Sequence, residues 1–124
     1  MTMMVDYKRD ILTDKCEFYK RVRRYENCLG MVAGSSEQTG RSHPFYECKA
    51  AICYALYQEG YPVTVIGKLM RVNHASVIYR IRQFYEMKRI GDKICSLLYD
   101  RIDQCTSFQF TRPLPERKRK EIQP

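Results

Sequence analysis

The chain has 124 residues, with 22 Lys and Arg against 14 Asp and Glu, a net charge of +8. That length suits one domain with tails, and 44% apolar with 12% aromatic content excludes wholesale disorder. No apolar run approaches the roughly 18 residues a membrane span needs, and the opening Met1-Thr-Met-Met-Val-Asp-Tyr-Lys8 lacks the apolar stretch of a secretory signal. A soluble, cytoplasmic protein without membrane contact is expected.

Residues 5–25 read as a first helix, with Tyr7, Ile11, Leu12, Cys16, Tyr19 and Val22 at the three-and-four spacing of an apolar stripe. Gly30, Gly34, Ser35, Ser36 and Gly40 then mark a flexible polar break. Ser42-His-Pro44 opens a second helix that runs to Glu59, since proline is favoured in a first turn. Apolar residues, among them Phe45, Cys48, Ala51, Ile52, Ala55 and Leu56, cover most of its circumference, so it is expected at the centre of the fold. Gly60 suits its C-terminal cap.

Pro62–Met70 reads as a short third helix, Arg71-Val-Asn73 as a tight connection, and Asn73 as the N-cap of a fourth helix from His74 to about Arg89. On a wheel, Val77, Ile78, Ile81, Phe84, Tyr85 and Lys88 fall on one side of that helix. Ser76, Tyr79, Arg80, Gln83 and Glu86 fall on the other. A fifth helix, about 91–105, uses Ile94, Leu97, Leu98 and Ile102 as its stripe. The fold class is therefore all-α, about five helices. Its organisation is an N-terminal helix and flexible linker (1–40), a helix-turn-helix domain (41–106) and a basic, disordered tail (107–124).

The charge is unevenly placed. Residues 68–90 hold six basic groups and one acid, residues 112–124 add a net three positive charges, and the remainder sums to zero. A basic stretch of this kind is a footprint for phosphate. The six cysteines, at 16, 28, 48, 53, 95 and 105, form no CxxC pair and lack the paired spacing of a zinc site. Reduced, small, mostly buried thiols are expected, with no metal and no cofactor. No paired carboxylates, no Ser/His/Asp or Cys/His arrangement and no phosphate-cradling glycine loop stand out, so an enzyme is not expected.

Two short helices joined by about three residues, the second amphipathic, are the layout of a helix-turn-helix, whose second helix enters the DNA major groove. Its buried flank holds it rigid while donors and acceptors near its N-terminus face the bases. Ser76, Tyr79, Arg80 and Gln83 supply such groups. Lys68 and Arg71 beside the turn, with Arg82, are candidate phosphate contacts.

The residues themselves carry a resemblance. Gly60-Tyr-Pro-Val-Thr-Val-Ile-Gly67, followed by Val72-Asn-His-Ala-Ser-Val-Ile-Tyr-Arg-Ile-Arg82, resembles the C-terminal DNA-binding domain of the bacterial replication initiator DnaA, a Trp-repressor-like helix-turn-helix. Lys49–Glu59 is similar to that family's long Ala-rich helix, and the likeness covers about residues 44–85. It implies double-stranded DNA as partner, with base contacts from Asn73, His74, Ala75 and Ser76. His74 matches the family signature, Ser76 replaces its threonine, and Asn73 replaces its acidic residue. Aspartate accepts from cytosine N4, whereas asparagine pairs with adenine, each pair worth about 1–3 kcal/mol. Ala75 retains a methyl for thymine. The chain is therefore not expected to read the initiator's own recognition box.

The resemblance stops elsewhere. The family's minor-groove arginine aligns with Phe45-Tyr-Glu-Cys48, with Arg41 a few residues early, and the turn is one residue shorter. No GxxxxGK[ST] loop occurs, so ATP-driven origin melting is not expected. The expected role is a nucleoid-associated, bacterial or phage DNA-binding factor in replication or transcription regulation. The alternative is a helical adaptor, with the N-terminal helix serving a protein partner or a homodimer contact.

Overall fold

The computed structural model describes residues 15–38, 45–106 and 109–116. Among them are five α-helices: α1 (Lys15–Cys28), α2 (Phe45–Gln58), α3 (Val63–Met70), α4 (His74–Arg89) and α5 (Lys93–Gln104). A 3-10 turn spans Ser35–Glu37, and there is no strand among the described residues. The fold is all-α.

A helix with almost no polar face has to be surrounded. Residues 49–58 of α2 are all buried, and α1, α3, α4 and α5 pack around them. Lys49 is buried too and donates from Nζ to the Gln38 carbonyl at 2.8 Å. Burial pulls its ammonium below the ordinary lysine range. The central helix ends at a charged clasp. Glu59 accepts from Arg21 Nε at 2.6 Å and from the Tyr25 hydroxyl, which ties α1 across the end of α2.

The first helix is phased differently from the expectation. It extends to Cys28, and its inward side chains are Phe18, Val22 and Tyr25, all without solvent exposure. Of the expected stripe, Cys16 is exposed, Tyr19 is partly buried and Val22 is buried, while residues 5–14 lie outside the described residues. The stripe over 18–25 is spent on the core. Tyr19 reaches further and donates from its hydroxyl to the Leu69 carbonyl at 2.8 Å, bracing the end of α3.

Two expectations about connecting segments are corrected. The Gly/Ser stretch expected to be a flexible linker is folded over residues 31–38 around the buried carboxylate of Glu26. Gly34 N donates to Oε1 at 2.9 Å, and Ser36 donates to Oε2 from its N at 3.0 Å and from its hydroxyl. Arg23 spans Glu26 and Glu37 at 3.1 and 2.6 Å. A buried carboxylate needs several donors, and the glycine and serine backbone supplies them.

The tail expected to be disordered from residue 107 is pinned over 109–116. Arg112 N donates to Gln58 Oε1 at 2.7 Å, and Gln58 Nε2 returns a bond to the Arg112 carbonyl at 2.8 Å. The Tyr57 hydroxyl donates to the Pro113 carbonyl at 2.6 Å, and the Arg112 guanidinium lies 3.8 Å over the Tyr57 ring. Phe110 meets Tyr54 and Tyr99 edge-on. Residues 107–108 and 117–124 of that expected tail lie outside the described residues.

The cysteines also depart from the expectation of reduced thiols. Cys28, at the end of α1, and Cys105, just past α5, are paired in a disulfide with Cα atoms 6.7 Å apart. Cys53 and Cys95 are the buried thiols, Cys48 is intermediate and Cys16 is exposed. In α5, Asp92 caps the helix by accepting from Cys95 N at 2.9 Å. Cys95, Leu98 and Ile102 face inward, while Leu97, expected in the stripe, is 52% exposed.

Candidate nucleic-acid interface

The short helix α3 starts on Pro62 and ends on Arg71, whose backbone is left-handed at φ 62° and ψ 46°. A left-handed end lets the chain reverse at once. The amide of Val72 donates back to the Gly67 carbonyl at 2.8 Å, folding the turn tightly over the helix. Gly67 makes this possible. A Cβ built there would lie 2.4 Å from the Val72 carbonyl oxygen and 3.3 Å from the Cα and N of His74. The Ile-Gly pair thus has a physical meaning: Ile66 anchors α3 in the core, and Gly67 clears the path of the turn.

Asn73 caps α4, its Oδ1 accepting from Ala75 N at 2.8 Å. The carbonyl that a two-bond adenine contact would use is therefore engaged with the helix, and Nδ2 is the group left to donate. His74, Ala75 and Ser76 in the first turn are exposed, as are Tyr79 and Gln83 further along. On the opposite flank, Val77, Ile81 and Phe84 are buried against the core. The first turn of α4, at the positive end of the helix dipole, is thus presented to solvent on a helix whose back is fixed.

The cations divide into two sets. Lys68 and Arg71 are exposed, flank the turn and hold no ion pair among the described residues. Arg80, expected on the polar flank, and Arg82, expected to be open to phosphate, are instead half-buried and engaged within the fold. The Arg80 guanidinium sits 4.4 Å over the Tyr46 ring, and its Nη1 is buried without a hydrogen-bond acceptor. It borders a pocket of about 160 Å³ whose lining includes Glu47, Phe84 and Cys95. Arg82 donates from Nη1 to the Pro115 carbonyl at 3.0 Å and so serves the C-terminal segment. Lys88, placed by the wheel on the apolar side, lies 4.2 Å over the Tyr99 ring.

Sequence reasoning missed the closeness of the C-terminus to this surface. A groove of about 490 Å³ runs between the start of α3 and the first turns of α4, lined by Val63, Thr64, His74, Ala75, Ile78 and Tyr79. Glu116 borders it as well. No periodicity marks residues 109–116, and only Arg112 and the flanking prolines hint at a docked segment.

Among the described residues no three His, Cys, Asp or Glu side chains converge as a metal site would, and no helix is long and apolar enough to cross a membrane. Comparison with known protein families, with characterised proteins and with solved structures returned no match.

Proposed function

We propose that this protein binds double-stranded DNA and reads its sequence with the first turns of α4 laid in the major groove, in an accessory replication or transcription-regulatory role without enzymatic chemistry. One observation carries the proposal. Asn73, His74, Ala75, Ser76, Tyr79 and Gln83 are exposed together on the flank of a helix whose other flank is buried. That is the physical requirement for groove readout: a rigid rod with a free polar edge. Two further features support it. Lys68 and Arg71 stand uncommitted beside the turn, where phosphates border the groove. The residues that shape the turn, Ile66, Gly67 and the cap Asn73, lie within the stretch that resembles the DnaA domain.

The proposal assigns different weights to the expected contacts. His74, Ser76, Tyr79 and Gln83 face bases, with Ala75 offering a methyl. Asn73 serves mainly as the cap. Arg80 is a base or phosphate contact only after leaving Tyr46, and Arg82 is an internal anchor. With asparagine at position 73, the initiator's own recognition box is not the target.

Fluorescence anisotropy with a labelled duplex of about 30 base pairs tests the proposal. The full chain binds with an affinity that falls steeply as salt rises, by a log–log slope of about −0.9 per phosphate neutralised. The double charge reversal Lys68→Glu, Arg71→Glu leaves the fold intact and weakens that binding at least about 50-fold at 0.1 M salt, from two phosphate contacts at about eightfold each. Equal binding by the reversed variant would overturn the assignment of this surface.

A further inference from the structure

The pocket of about 160 Å³ beside Arg80 lies where three helices meet. The first turns of α2, the middle of α4 and the start of α5 each contribute to its wall. Its apolar lining is Ala50 of α2, Phe84 and Met87 of α4, and Cys95 of α5. Arg80, Phe84 and Met87 recur at the three-and-four spacing that places them along one side of α4. The pocket is therefore built by helix positions fixed in the fold, away from the first turn of α4 that carries the proposed reading surface.

Its polar lining centres on Arg80. The guanidinium lies 4.4 Å over the Tyr46 ring, which holds it by one face and leaves its in-plane N–H groups to find acceptors. Nη1 is buried, and none of the described residues accepts from it. A buried charged donor without an acceptor is costly, and native folds rarely keep one. One water would meet that donor, but it takes only about 30 Å³ and finds no polar partner in Ala50, Phe84 or Met87. An apolar cavity of about 150 Å³ holds a benzene, which sets the size of the body that fits here. The charge of that body follows from the rest of the lining. Burial first, then the carboxylates of Asp92 and Glu47, push the Cys95 thiol up. An anion in the pocket would meet the same two carboxylates, whereas a neutral oxygen would satisfy Nη1 without that repulsion.

We propose that this three-helix pocket is a binding site for a small neutral molecule about the size of a substituted benzene. Its apolar body lies against Ala50, Phe84, Met87 and Cys95, and one carbonyl or hydroxyl oxygen accepts from Arg80 Nη1. The site does not depend on the proposed DNA binding. A bound oxygen also keeps the Arg80 side chain at Tyr46, so the residue serves the pocket.

The test titrates the full chain, labelled at its alanine and methionine methyls, with three probes of like shape and follows the methyl signals by NMR. Acetophenone offers a neutral carbonyl, ethylbenzene has no acceptor, and benzoate has an anionic one. Acetophenone shifts the Ala50 and Met87 methyls saturably, with a Kd of about 1 mM or tighter, as a molecule of this size can reach. The methyl of Met70, buried in α3, does not move. Benzoate binds more weakly than acetophenone. Arg80→Met removes the donor while keeping an apolar stem; it weakens acetophenone at least about tenfold and leaves any ethylbenzene binding unchanged. Ala50→Leu fills the space and abolishes acetophenone binding, its fold checked by circular dichroism, and Arg80→Met carries the test should that variant unfold. No saturable shift at Ala50 and Met87 with acetophenone would overturn the proposal and leave the pocket to water. Tighter binding of benzoate would overturn the neutral class of ligand, and equal acetophenone binding by Arg80→Met would overturn the role of Nη1. None of these outcomes touches the proposed DNA binding, which duplex titration reads separately.

Discussion

Replacing Arg71 by glycine separates stability from binding in a way few interface substitutions can. Arg71 is the non-glycine residue with a positive φ among the described residues, at φ 62°. Holding a residue with a Cβ in the left-handed region costs about 1–2 kcal/mol, which glycine avoids. Glycine gives back about 0.5–1 kcal/mol because its unfolded chain is freer. The side chain is exposed and has no hydrogen bond or ion pair among the described residues to lose. The variant is therefore as stable as the parent, or more stable by up to about 1.5 kcal/mol. At about 4–8 °C per kcal/mol for a domain near this size, the thermal midpoint stays level or rises by several degrees. The proposed DNA binding moves the other way. Removing one phosphate-neutralising cation flattens the log–log salt slope by about 0.9 and weakens binding about eightfold at 0.1 M salt. Differential scanning fluorimetry and an anisotropy salt series measure the two effects on one preparation. A lowered midpoint would refute the account of the strained turn. Unchanged affinity and slope would refute Arg71 as a phosphate ligand, leaving its strained backbone without a binding role.

Three other perturbations have definite outcomes. Gly67→Ala gains about 0.8–1 kcal/mol of helix propensity, but its Cβ meets the Val72 carbonyl oxygen at 2.4 Å. A net loss of about 1–3 kcal/mol is expected in urea unfolding, and a more stable variant would contradict the tight crossing of turn and helix. Reducing the Cys28–Cys105 bridge opens a sequence separation of 77 residues, which on chain entropy lowers stability by up to about 4.5 kcal/mol. Thermal midpoints with and without reductant measure this, and equal midpoints would show that α1 and α5 hold together without the covalent tie. Burial pushes the Cys53 thiol up to about 11, and burial together with Asp92 pushes Cys95 up to about 12. The thiolate is the reactive form, so at pH 8 iodoacetamide labels Cys16 first and Cys48 slowly, while Cys53 and Cys95 stay unlabelled. Mass spectrometry of the folded protein reads the order, and prompt labelling of Cys53 would contradict its burial.

Most of the fold is legible in the sequence because its signals are local. Asn73 announces the start of α4 through a cap that needs only its own side chain and the amide two residues on. The length of α2 and its want of a polar face identify the helix that must be enclosed. The phase of α1 is ambiguous in the sequence because Cys16 and Tyr19 suit a stripe as well as Phe18 and Tyr25 do, and only packing against α2 decides between them. Long-range pairings are illegible for a different reason. The bond between Arg112 and Gln58, the folding of a Gly/Ser stretch around Glu26, and the Cys28–Cys105 pair all join residues whose relation exists only once the helices are assembled. The same limit applies at the candidate site. Wheel geometry puts Arg80 on the polar side of α4 and leaves Arg82 open to phosphate, but it carries no knowledge of Tyr46 or Pro115, which claim them. Gly67 marks the boundary between the two kinds of signal. The sequence shows a glycine in a helix, and the structure shows the carbonyl that requires it.

Selection from a random duplex library near physiological salt, run in parallel with the parent chain and a Ser76→Ala, Gln83→Ala variant, tests groove readout most directly. The parent enriches one motif, and the variant retains salt-dependent binding while losing preference at the positions those two side chains contact. An unenriched pool, or the same motif recovered at the same strength from both proteins, would contradict readout by the exposed flank of α4.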